Sequence, residues 1–217
     1  MRFHTQNILY RLIFVLTISI VVPFTVSGCI SPANNAANQT VYDLGPVDYE
    51  QTTTVSKGLN GDMVIIPAIR THGVLTGNTI VYRLVYAQLY EPRTYTQSRW
   101  AAEPTEMIRQ QLQQVIGKKY PVTLTAELYE DADWVLWISL EEFSQNFTAV
   151  DRSESIVQLR CTLRYGNGVI GQKVFSARVP TESADASGAV KAFSTGVEQI
   201  SLELFTWLDT LMSQYKK

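Results

Sequence analysis

The spacing of apolar and polar positions divides the chain into an opening apolar run, a short polar stretch and a long region of mixed period. In that region, Val41 to Leu44 predicts a short strand that stops at Gly45-Pro46. Asp62 to Ile66 predicts another, stopped by Pro67. Thr79 to Leu89 predicts a third, with Ile80, Tyr82, Leu84 and Tyr86 on one side and Val81, Val85 and Ala87 on the other. Apolar residues on both faces imply a strand covered on both sides or lying at an interface. Glu91-Pro92-Arg93 then predicts a turn into a partner strand running through Tyr95 toward Trp100.

A helical period follows. Pro104 suits the first helical position, Glu106 the positive end of the helix dipole, and Gly117 the C-cap. Ile108, Leu112, Val115 and Ile116 form one stripe, and Arg109, Gln110, Gln113 and Gln114 the outer side. Beyond Tyr120 the period returns to two. Trp134, Leu136, Ile138 and Leu140 alternate with Val135, Trp137 and Ser139. Val157, Leu159, Cys161, Leu163 and Tyr165 alternate with Gln158, Arg160, Thr162 and Arg164, a strand with one buried face. Gly166-Asn167-Gly168 signals a hairpin returning through residues 173 to 177. A final helix is expected from about Ser183 to about Ser213, with Ala186, Val190, Phe193, Val197, Ile200, Leu204, Trp207 and Leu211 as its stripe. At 1.5 Å per residue it is roughly 45 Å long, enough to cross a sheet. The same stripe would also suit a coiled-coil seam. The expected fold is α+β: a two-layer sandwich with a mainly antiparallel sheet of about six strands, one mid-chain helix and a long C-terminal helix.

The opening run changes the picture. Arg2 and Arg11 flank a start without acids, and Leu12 to Val26 is apolar apart from Thr and Ser, with Pro23 near its end. This is the pattern of a secretory signal; a membrane anchor would need about 20 apolar residues. Val26, Ser27, Gly28 and Cys29 read as a lipobox, with cleavage before Cys29 and lipid on its thiol. Ordinary cleavage after Gly28 is the alternative, and would leave Cys29 free to pair with Cys161, the other cysteine. Several acyl chains make a lasting anchor where one binds only marginally. Residues 1–28 are thus expected to be a signal peptide and 29–40 a lipidated cysteine with a flexible tether. The tether (SPANNAANQT from Ser31) lacks large apolar groups and spans roughly 15–20 Å. Residues 41–217 form one periplasmic domain.

Removing residues 1–28 leaves 16 basic and 20 acidic side chains, a mild net charge of −4. No run of basic residues points to nucleic acid. Candidate chemistry is sparse. His72 is the only histidine after the signal, too few for a zinc site on its own. Cys161 on an inward face reads as a small core residue rather than a nucleophile. Asp131 and Asp133 lack the spacing of a calcium loop, and Glu141-Glu142 point to opposite faces. Gly166-Asn167-Gly168 opens no helix, so it is not a phosphate loop. Asn38-Gln39-Thr40 and Asn146-Phe147-Thr148 match the glycosylation sequon by chance. The expectation is a non-enzymatic module with no metal and no cofactor.

Three stretches carry a resemblance: Tyr42-Asp43-Leu44-Gly45 after the tether, Ile80-Val81-Tyr82-Arg83 mid-domain, and Trp100-Ala101-Ala102-Glu103-Pro104 opening a helix through Leu112. In this order behind a lipobox, the chain resembles the auxiliary lipoprotein component of ABC-type transport systems, from Val41 to about Leu140. The resemblance implies no catalytic residues and an outer-membrane location, since Ile30 is not aspartate. It also implies partnership with an MCE-domain protein and ABC transporter subunits that move lipid or lipid-like solutes. A homo-oligomer stays open. Tyr82, Tyr86, Tyr90, Tyr95 and Trp100 are either core aromatics or anchors for the partner. An assembly lipoprotein of another outer-membrane complex, such as a secretion channel, would use the same layout, and a lipid carrier with its own cavity is a third reading.

Overall fold

The computed structural model describes residues 39–46, 63–123 and 134–215. The segments expected to be signal, lipobox and most of the tether, together with Asp131 and Asp133, lie outside the described residues. Eight strands form one mixed sheet: β1 (Thr40–Tyr42), β2 (Val64–Ile65), β3 (Thr79–Leu84), β4 (Gln88–Trp100), β5 (Val122–Thr123), β6 (Trp134–Ala149), β7 (Arg152–Tyr165) and β8 (Gly168–Pro180). Among the described residues two α-helices, α1 (Pro104–Gly117) and α2 (Ala186–Tyr215), and one short 3-10 turn (Gly73–Leu75) complete the fold. This is the α+β arrangement that the sequence predicts.

The long pairings, β3–β4, β6–β7 and β7–β8, are antiparallel. The short ones are parallel. One edge of β6 is taken in turn by β2 at Trp134–Val135, by the backbone of Arg70 at Ser139, and by β3 at Ser144–Phe147. β7 runs along the whole of its other edge. The β7–β8 connection is a two-residue loop, since Tyr165 pairs with Gly168. Gly166 sits there at φ +52°, where a side chain would be strained.

One local expectation is corrected. The turn between β3 and β4 falls at residues 85–87, and Glu91-Pro92-Arg93 lies inside β4, with Pro92 opposite Arg83. Proline is tolerated at this point because β1 pairs with β4 only at residues 98–100. On that edge no described strand takes an N–H from position 92, and on the other edge the β3 register shifts beside it.

The core lies between the sheet and the helices. Leu136, Ile138 and Leu140 of β6 meet Leu159, Cys161 and Leu163 of β7 in register, all buried. Ile108, Leu112 and Ile116 of α1 join them, as does the inner side of α2. Phe143 stacks on Phe193 at 4.2 Å, and Trp100 packs against both. The buried line on α2 drifts as it runs: Phe193, Val197, Ile200 and Leu204 are buried as expected, but Leu208 and Met212 take over from Trp207 and Leu211, which are half-buried. A helix of 3.6 residues per turn loses step with a seven-residue stripe by about 20° per heptad. Val115 is likewise half-buried on α1.

Candidate partner-binding surface

The aromatics between Tyr82 and Trp100 separate by position. Trp100 ends β4, bonds its backbone N–H to the carbonyl of Asn78, and is 0% exposed. It belongs to the core, which removes it from the candidate anchors: its alternate position on β4 points toward Phe143 and Phe193. Tyr82 and Tyr95 face each other across β3 and β4, ring centroids 4.9 Å apart, and both are half-buried. The Tyr95 hydroxyl donates to Gln145 Oε1 at 2.7 Å, and burial raises its pKa well above the phenol value. These two rings brace the hairpin.

Tyr86 and Tyr90 do the opposite. They sit at the hairpin end, 48% and 93% exposed, with Leu89 at 45%. The apolar pattern reads residues 79–89 as one strand, so Leu89 is not legible in the sequence as an exposed residue. The true turn at 85–87 exposes it. An open depression of about 520 Å³ lies here, lined by Val85, Ala87, Gln88, Leu89, Tyr90 and Glu91. Arg93 Nη2 donates to Gln88 Oε1 at 2.6 Å and lies 3.3 Å from Glu91, holding the base of the tip. An exposed tyrosine on a braced hairpin offers large apolar area with little entropy to lose, which suits protein recognition.

The other residues singled out have structural surroundings. Cys161 is buried, and burial pushes its thiol up to about 12. Glu141 accepts from Gln158 and Arg160, and these bonds hold its carboxyl below the usual range. Glu142 accepts from the backbone N–H of Phe143, at a register shift in β6. His72 is exposed. Among the described residues no group of His, Cys, Asp and Glu could hold a metal ion, and no helix is long and apolar enough to cross a membrane.

Solved structures share the fold. Protein XCC0632 from Xanthomonas campestris matches with TM-score 0.68 and 18% identity, covering 82% of this chain and 98% of that one. An uncharacterized protein matches with TM-score 0.63 and 14% identity, covering 79% and 99%. No curated protein sequence matches the chain. The family model described as "ABC-type transport auxiliary lipoprotein component" matches residues 42–204. That span runs from the end of β1 to Leu204 in α2 and takes in both the hairpin and the core that braces it, so the chain belongs to the family of ABC-type transport auxiliary lipoprotein components.

Proposed function

We propose that this lipoprotein is anchored in the outer membrane through Cys29 and docks an MCE-domain protein of an ABC-type system moving lipid or lipid-like solutes between the membranes. Residues 1–28 are removed on export, 29–40 tether the domain, and residues from 41 onward form the periplasmic docking module. It carries out no chemistry; its part is to hold the bridging protein at the outer membrane. The family membership supports the transport context. The observation that carries the docking role is the hairpin tip, where Tyr90 is 93% exposed beside Leu89 and Tyr86. Isolated exposed apolar side chains are ordinary, but three on one braced turn are the composition of an interface centre.

A photo-crosslinking residue in place of Tyr90, in the native host, tests this. Capture of an MCE-domain protein with ABC subunits is the expected result. Capture of a β-barrel or secretin instead would overturn the transport reading and favour an assembly lipoprotein.

A further inference from the structure

The sheet face turned away from α2 carries a second feature. Trp137 and Ser139 of β6 stand in register with Thr162 and Arg160 of β7, and Arg164 lies two residues further along the same row. The backbone of Arg70 bridges to Ser139 from the other side and brings its guanidinium over the Trp137 ring, 4.9 Å from the centroid. Together they enclose an open depression of about 410 Å³. The charge there is one-sided. Arg160 pairs with Glu141, Nε to Oε1 at 2.5 Å. Arg70 and Arg164 have no carboxylate partner among the described residues. A cationic face on a chain of net charge −2 is a local choice and not a reflection of overall composition.

The arrangement selects among anions. Arg160 and Arg164 are four residues apart on one strand, about 13 Å between their backbones. Their guanidiniums diverge: Arg160 reaches across to Glu141, while Arg164 turns back to the carbonyl of Asn167 at 3.3 Å. A single phosphate, a few ångströms wide, cannot engage both. Carboxylates spaced along an extended chain can, each meeting one planar fork. The half-buried Trp137 ring lies between them beneath the Arg70 guanidinium and adds apolar surface, and Gln172 and Thr162, bonded to each other at 2.9 Å, form a polar rim.

We propose that this outer sheet face docks an acidic, extended segment of a partner protein, with its carboxylates on Arg70, Arg160 and Arg164 and its apolar side chains on Trp137. The site is separate from the hairpin tip and does not rest on the reading given to that tip. Glu141 acts in it as an internal competitor that the segment displaces from Arg160.

The test uses the mature lipidated protein in detergent and a fluorescein-labelled peptide repeating Glu-Thr-Val-Thr, whose glutamates four residues apart flank a valine on the same face, read by anisotropy at low and physiological salt. Binding is expected that weakens with salt. The double variant Arg70→Gln/Arg164→Gln should bind about tenfold more weakly, as expected for losing two such pairs. Glu141→Gln should tighten binding about two- to threefold by freeing Arg160. Lys118→Gln/Lys191→Gln, altering cations elsewhere, should change nothing. The proposal fails if the peptide does not bind, or if the Arg70/Arg164 variant binds as well as the parent. It also fails if inorganic phosphate or glycerol 3-phosphate displaces the peptide at equal charge concentration, which would mark a phosphate or headgroup site instead.

Discussion

The Tyr120 hydroxyl, just beyond α1, donates to the Asp209 carboxylate on α2, joining two helices whose contact residues are 89 positions apart in sequence. Lys119 donates to the same oxygen. These two bonds, the lysine's first, hold the Asp209 carboxyl below the usual range against the opposing effect of burial. A carboxyl with a depressed folded-state pKa stabilises the fold above its unfolded pKa, and that stability is lost as pH falls through the folded value. Asp209→Asn is therefore expected to cost about 1 kcal/mol at neutral pH, allowing for solvent screening, with the difference closing below about pH 4. Urea titrations of both proteins across that range measure it; a difference that persists unchanged at acid pH would mean the pair is not the cause.

Gln145 ties three parts of the fold. It is 0% exposed, accepts from Tyr95, and donates to Ser153 Oγ at 2.8 Å and to the Asp185 carbonyl at 3.3 Å. Asp185 in turn accepts from the backbone N–H of Gly188 at 2.8 Å in the first turn of α2. Gln145→Leu leaves the Tyr95 hydroxyl without its acceptor and should cost about 2–4 kcal/mol, while Tyr95→Phe should cost about 1–2 kcal/mol. Combined, the two should cost less than their sum. Strict additivity in denaturation would show that the bond contributes nothing.

Trp100 and Tyr90 are ten residues apart on one strand and should respond oppositely. Trp100→Ala empties a site beside the stacked Phe143 and Phe193 and is expected to cost about 3–5 kcal/mol. Tyr90→Ala, at 93% exposure, should change stability by less than about 0.5 kcal/mol yet weaken partner capture. Thermal melts beside co-purification separate the two effects. Normal capture with Tyr90→Ala would remove the tip from the interface.

The thiols test the proposed anchor on Cys29. Cys161, buried and with its pKa pushed up to about 12, should not react with a thiol reagent until the protein unfolds. Of the two cysteines in the chain, a lipidated Cys29 leaves one titratable thiol after denaturation without reductant. Two would mean that Cys29 is unmodified, and none would mean a disulfide.

Periodicity and turn chemistry are local, and what they specify was legible in the sequence: the start of α1 at Pro104, the inward row of β7 through Cys161, the tight β7–β8 hairpin, and a long C-terminal helix, although Gly117 is the last helical residue and Lys118 takes the C-cap expected of it. From these the α+β class follows. Tertiary structure decided what depends on neighbours. Pro92 reads as a turn until it is known that no described strand pairs with that edge of β4 at position 92. Five clustered aromatics read alike until the sheet sends Trp100 into the core, sets Tyr82 against Tyr95, and leaves Tyr90 in solvent. Arg70, Arg160 and Arg164 are scattered in a chain with no basic run, and only strand pairing brings them around Trp137. Burial and charge clustering are properties of surfaces shared between distant segments, so sequence spacing alone cannot assign them.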